Sequence, residues 1–168
     1  MKIEERHERE QYFFDDATIA AVANMLAPMG RVCVLCAPMV GAELERRGCD
    51  PVVLDVDERF SGLCGFRRWD IYRPTHLEER FDVMFADPPF FNVSLSQLFT
   101  AVRLLARFDI SQRLAITYLS RRRDAILGTF APFQLRPTGF RPTYRTVDTA
   151  ERNEIELFAN FELKSESC

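Results

Sequence analysis

Lysine is almost missing from this chain: Lys2 and Lys164 are the only two, and the other 20 basic residues are arginines. Histidine is as scarce, with His7 and His76 alone, and neither stands in a nucleophile–base arrangement, so hydrolysis of the Ser-His or Cys-His type finds no support. His76 reads as a loop residue. Glycine is thin as well, at seven residues, and no G-x-G-x-x-G follows any apolar run. That argues against a turn built to cradle a pyrophosphate. No apolar stretch approaches the ~18 residues of a membrane span. The charged start, Met1-Lys2-Ile3-Glu4-Glu5-Arg6, lacks the apolar core of a secretory signal. With five cysteines, an odd number, the expectation is reduced thiols and a cytoplasmic location. A net charge of −3 provides no global basic field for nucleic acid. Arginine binds phosphate bidentately and stacks on bases, but GC-rich coding produces the same bias, so composition leaves partners open.

What is present is a regular alternation of strand-like and helical stretches. Residues 1–10 read as a flexible charged lead, 11–163 as one domain and 164–168 as a tail. Asp15 or Asp16 can cap a helix carrying Ile19, Val22, Ala23 and Leu26, which Pro28 and Gly30 stop. Nearly continuous apolar runs at 31–37, 52–57 and 81–86 suit strands buried on both faces. Residues 66–71 form a weaker third strand and 113–119 a fifth. Between them lie a short helix ending at Gly48, an amphipathic helix with Leu95, Leu98, Phe99, Val102 and Leu105 on one face, and a short helix over 121–127. Two stretches, 130–144 and 154–163, read as a closing antiparallel pair. The expectation is an α/β fold: a mostly parallel seven-stranded sheet, helices on both faces, and a C-terminal antiparallel strand pair. Cys33 and Cys36 form a C-x-x-C within the first strand. Three apart on a strand they face opposite ways, so core packing is expected and no metal site.

Ligands of such sheets sit beyond the carboxyl ends of the strands. The first strand ends at Ala37-Pro38, with only Gly41 nearby, which suits a cofactor without phosphates such as S-adenosylmethionine. The second ends in Asp55-Val56-Asp57, where a carboxylate can accept hydrogen bonds from a ribose diol. Asp55 is the first choice and Asp57 the alternate; a pair of acids capping the next segment is the plain alternative. The third ends near Asp70, which is placed to meet an adenine amino group or to serve as a surface turn. The fourth runs into Asp87-Pro88-Pro89-Phe90. Two prolines fix two φ angles and remove two N–H donors, and Pro88 keeps Asp87 out of helical geometry. The segment is rigid and rich in acceptors, as an amino group requires, and Phe90 offers a flat face for a planar substrate.

D-P-P-F at the end of the fourth strand, with acids ending the second, resembles class I methyltransferases carrying the [D/N]-P-P-[F/Y] motif. Within them the chain is similar to the family of probable adenine-N6 methyltransferases, which includes zinc-knuckle rRNA adenine-N6 methyltransferases and elongation-factor lysine methyltransferases. The stretches that carry the resemblance are QYFFDDAT (11–18), VCVLCAP (32–38), LDVDERF (54–60), WDIYRP (69–74) and FADPPF (85–90). It implies a Rossmann-like fold and S-adenosyl-L-methionine as cofactor. It implies that Gln11, Phe13 and Phe14 cover the cofactor, that Asp55 and Asp70 contact its ribose and adenine, and that Asp87, Pro88, Pro89 and Phe90 hold the target amine. The chain departs from the wider class in its glycine-poor first loop and from the zinc-knuckle relatives in lacking Cys/His modules. That leaves a role for a separate partner that selects the substrate.

Three functions follow. The first is methylation of adenine N6 in RNA, or in DNA, with Phe90, Phe91, Arg121, Arg122, Arg141 and Tyr144 as candidate substrate contacts. These interleave charge with aromatic rings, as splayed bases and phosphates require, although the arginine run at 121–123 can also be a solvated helix start. The second is methylation of a protein lysine on a translation factor. The third is a catalytically inactive fold kept for binding, against which the intact acids at Asp55 and Asp87 argue.

Overall fold

The computed structural model describes residues 2–164; the end of the expected tail, with Cys168, lies outside the described residues. Five parallel strands come first: β1 Val32–Leu35, β2 Val52–Asp55, β3 Phe66–Arg68, β4 Val83–Ala86 and β5 Leu114–Leu119. Two short strands finish the sheet, β6 Arg136–Pro137 and β7 Ile155–Ala159. The order across the sheet is β3-β2-β1-β4-β5-β7-β6. β7 runs antiparallel to both β5 and β6. The strand order reverses between β1 and β4, which opens a crevice at their carboxyl ends.

Both faces of the sheet are covered, which explains the unbroken apolar runs. Along β1, Cys33 and Leu35 join one core while Val32 and Val34 join the other. β4 divides in the same way, Met84 and Ala86 against Val83 and Phe85. Helices α1 Asp16–Leu26 and α2 Pro38–Arg46 cover one face. Helices α3 Leu95–Leu105 and α4 Arg123–Thr129 cover the other. Asp15 is the cap of α1, its carboxylate accepting from the Thr18 N–H. Ser94 and Gln97 close a reciprocal capping box on α3. Phe99 lies at the edge of the α3 stripe and packs edge-on against Phe130 and Phe133.

The closing strand pair is shorter than its apolar content suggests. Phe130 and Phe133 belong to the turn after α4 and fill the core from there. Gln134 then takes a left-handed conformation, β6 ends at Pro137, and the backbone pairing with β7 continues irregularly beyond it, the Thr138 N–H donating to the Leu157 carbonyl and the Leu157 N–H to the Phe140 carbonyl. The stretch from 138 to 154 is irregular apart from one turn at Glu151–Asn153 and carries Tyr144 back to the carboxyl end of the sheet, where it forms a single bridge with Phe14. Cys36 also departs from the expectation. β1 ends at Leu35, so alternation does not reach Cys36, which packs against the same core as Cys33 with φ +58°. No group of three metal-ligating side chains occurs among the described residues. No described helix is long and apolar enough to cross a membrane.

Candidate active site

At the carboxyl ends of β1, β2 and β4 lies a cavity of about 550 Å³, within the usual range of small-molecule sites. Its floor is the turn from β1 into α2. A Rossmann sheet places glycines here so that the chain can turn left-handed and the helix can approach the sheet. This chain divides those tasks. Cys36 adopts the left-handed turn with a side chain in place, and its amide donates to the Leu54 carbonyl. Gly41 provides the close approach, since a Cβ there would lie 2.4 Å from Cγ2 of Val53. Pro38 opens α2 at its first turn. Ala37 and Pro38, both expected cofactor contacts, line the cavity.

Asp55 is the last residue of β2 and is buried. Its Oδ1 accepts the Asp57 N–H at 2.8 Å. Burial pushes its carboxyl up to about 6, more than its backbone hydrogen bonds pull it down. Asp57 sits differently. Arg59 binds both its oxygens and the Gln11 amide donates to Oδ2 at 2.8 Å. Burial alone would raise Asp57, but these partners outweigh it and hold its carboxyl well below the usual range. Gln11 therefore ties the N-terminal segment to the end of β2. Both aspartates line the cavity, as does Asp70, whose Oδ1 accepts the Tyr72 N–H.

Asp87 follows β4 directly. Its N–H donates to the Leu35 carbonyl, which continues the β1–β4 ladder by one step and fixes where the side chain departs. Thr117 Oγ1 and Tyr144 OH each donate to Oδ1 of Asp87 at 2.6 Å. Burial raises this carboxyl to about 7 against the pull of those two hydroxyls, and the charge on Glu10 adds to the rise. Aromatic rings surround it. Tyr144 stacks on Phe14 at 4.9 Å between centroids, and Phe90 stands edge-on to Tyr118 at 5.5 Å. Pro88, Pro89 and Phe90 line the cavity beside Asp87.

The N-terminal lead lies against this site. Glu5 accepts from the Phe13 N–H, and Glu10 accepts from the N–H groups of Phe91 and Asn92 at 2.8 and 3.1 Å. Gln11, Phe13 and Phe14 line the cavity. Phe91 stands at the mouth, 69% exposed, with the Arg121 guanidinium 5.9 Å from its ring centre. Arg121, Arg122 and Arg141 all lie off the cavity lining. Arg122 donates to Tyr118 OH at 2.7 Å, and Arg141 pairs with Glu154. Glu10 and Thr117 have no place among the sequence candidates. Thr117 leaves a faint signal, a small hydroxyl residue beside Tyr118 in the otherwise apolar strand LAITYL. Glu10 leaves none, being one acid among several in a charged lead.

Solved structures share this architecture. An S-adenosylmethionine-bound magnesium protoporphyrin IX methyltransferase from Synechocystis aligns with a TM-score of 0.60 at 12% identity, over 86% of this chain and 79% of that one. A candidate RNA methyltransferase from Pyrococcus horikoshii aligns with a TM-score of 0.66 at 12% identity, over 93% and 88%. A TehB-like methyltransferase from Corynebacterium glutamicum gives 0.55 at 13%, over 88% and 87%. Identities this low speak for the fold, that of Rossmann-like methyltransferases. No curated protein sequence matches the chain. The family model described as "Probable N6-adenine methyltransferase" matches residues 5–163. That span takes in every strand end described above and the Asp87-Pro88-Pro89-Phe90 segment, and the chain belongs to that family.

Proposed function

We propose that this protein is an S-adenosylmethionine-dependent N-methyltransferase acting on the N6 amino group of adenine in RNA, with DNA as the alternative polymer. The observation that carries this reading is the Asp87 carboxylate, half-buried just after β4 in an aromatic-walled cavity and followed by two prolines.

The cavity suits the cofactor in its charge. Five carboxylates line it, Glu10, Asp55, Asp57, Asp70 and Asp87, against Arg6 and Arg9. Such a lining disfavours phosphates and favours a sulfonium cation. Asp57 is engaged by Arg59 and Gln11, which leaves Asp55 to accept from the ribose hydroxyls. A raised carboxyl in a dry site gains from such donors because they stabilise its ionised form. Asp70 is the acceptor for the adenine amine, and Phe13 and Phe14 cover the bound molecule. When bound, S-adenosylmethionine supplies an activated methyl group on sulfur.

The protein's own contribution is to hold the nucleophile. The N6 lone pair of adenine is delocalised into the ring. Hydrogen bonds from the amine to Asp87 and to the Pro88 carbonyl favour a pyramidal nitrogen whose lone pair is free to attack. These acceptors are fixed before the substrate arrives, so their orientation costs nothing at the moment of transfer. Phe90 supplies the face for the base, and a base taken from a duplex must first be flipped out. Phe91 and Arg121 at the mouth suit a neighbouring base and its phosphate.

The test is methyl transfer from labelled S-adenosylmethionine to RNA, DNA and protein fractions, each assayed separately. Label in RNA or DNA, recovered as N6-methyladenine, supports the proposal. Label in protein alone sinks it in favour of lysine methylation. An absence of cofactor binding by calorimetry would favour a binding-only fold.

A further inference from the structure

Asp87 is held from two distant parts of the chain. Thr117 reaches it from the middle of β5, and Tyr144 from the irregular stretch between β6 and β7, 57 residues away in sequence. Both hydroxyls land on the same oxygen, Oδ1, at 2.6 Å. Thr117 is fully buried, and Tyr144 is fixed by its stack on Phe14 and its bridge to the Phe14 backbone. Thr117 Oγ1 also lies 3.4 Å from the Ala86 carbonyl, so Oδ1 of Asp87 is the nearer of its two acceptors. A carboxylate accepts through about four lone-pair sites, and two of them are occupied on one oxygen.

We propose that Tyr144 and Thr117 are positioning residues for methyl transfer: together they occupy Oδ1 of Asp87 and thereby present Oδ2 as the acceptor for the target amine. This rests on the function proposed above. Three consequences follow from the geometry. The carboxylate cannot rotate about χ2 without breaking two short hydrogen bonds, so the amine meets an acceptor of fixed direction. Both donors are neutral hydroxyls, so they favour the ionised form that accepts from the amine without adding a cation that would repel the sulfonium. Finally, Tyr144 is stacked on a residue of the cofactor-covering segment, which makes the acceptor and the cover one packed unit.

The groups around Asp87 act in both directions. Glu10 on the lead opposes its ionisation, and the Cys36 thiol after β1 is pushed well above its ordinary value, first by burial and then by the Asp55, Asp87 and Asp70 carboxylates. Burial, then the Asp87 charge, pushes the Tyr144 phenol well above its ordinary value, so it stays a donor throughout the neutral range. Thr117 and Tyr144 are thus the two groups that pull Asp87 towards ionisation.

The test compares Tyr144→Phe, which keeps the ring stacked on Phe14, and Thr117→Val with Thr117→Ser, which restores a hydroxyl. The Asp87 carboxyl is titrated by carbon NMR in the cofactor-free protein, its signal identified by its loss in Asp87→Asn. Each of Tyr144→Phe and Thr117→Val is expected to raise the Asp87 pKa by about one unit, from the usual strength of a hydrogen bond to a charged group. Thr117→Ser is expected to return it to its starting value. The acid limb of kcat/KM should move by the same amount, since that profile reports the free enzyme. An unmoved Asp87 titration in folded Tyr144→Phe and Thr117→Val overturns the proposal. So does a moved titration with an unmoved acid limb. If the titration moves but neither RNA nor DNA is methylated by the wild type, the hydroxyl pair stands as the determinant of Asp87 and it is the substrate reading that fails.

Discussion

Replacing Asp87 with asparagine should stabilise the cofactor-free protein at high pH and leave it nearly unchanged at low pH. The amide keeps the shape and an acceptor oxygen for Thr117 and Tyr144. What it loses is a titration. The native carboxyl sits at about 7, against 3.8 in an unperturbed aspartate, because burial outweighs its two hydroxyl donors. Below the lower value both folded and unfolded chains are protonated, and Asp87 costs the fold nothing. As pH rises, the unfolded chain releases its proton first, so stability falls through the window from about 4 to 7 and then levels off. At ~1.4 kcal/mol per unit the whole shift is worth up to about 4 kcal/mol. For a chain of this length that is up to roughly 10 °C in Tm. Asp55, raised to about 6 by burial, imposes the same trend on both proteins and cancels in the comparison. Thermal or urea unfolding at pH 4 and pH 8, at one ionic strength, measures the effect. The gain from Asp87→Asn should be several-fold larger at pH 8. An equal ΔΔG at both values would refute the claim that Asp87 is buried at a cost.

Other sites give separate outcomes. Asp55→Ala should weaken S-adenosylmethionine binding about a hundredfold by calorimetry, because two hydrogen bonds to a carboxylate are worth ~3 kcal/mol; an unchanged Kd would pass the ribose role to Asp57. Gly65→Ala should cost about 3 kcal/mol in urea unfolding, because its Cβ would lie 1.7 Å from the Pro51 carbonyl oxygen; an unshifted midpoint would show that the β2–β3 edge is looser than this contact implies. Glu10→Ala should speed amide exchange at Phe91 and Asn92 about tenfold, since each donates to that carboxylate. Unchanged protection there would mean that the lead does not hold the motif.

The strand ends were legible in the sequence because their causes are local. A strand buried on both faces needs an unbroken apolar run, and 32–35, 52–55 and 83–86 supply it. Asp87-Pro88-Pro89-Phe90 carries its own backbone rules in its prolines. The capping acid of α1 and the stripe of α3 are equally local. What escaped was long-range. Nothing near Glu10 says that its carboxylate meets amides 81 residues away, and nothing near Thr117 says that its hydroxyl meets Asp87. The last stretch misled for a related reason. Phe130, Phe133 and Phe140 supply core contacts from turns and loops, so their apolar character resembled a strand although regular strand covers only Arg136–Pro137. The arginine candidates stand in different places. Arg121 reaches the mouth through Phe91, but Arg122 and Arg141 have partners elsewhere.

The most direct test of the central claim is methyl transfer from labelled S-adenosylmethionine to RNA and DNA by the wild type and by Asp87→Ala. The wild type should deposit label as N6-methyladenine. Asp87→Ala should lose that transfer by at least a hundredfold, from the usual weight of one preorganised group at the reacting atom, while binding cofactor with a Kd within a few-fold of the wild type. Transfer at the wild-type rate in Asp87→Ala, or label confined to protein, would contradict it.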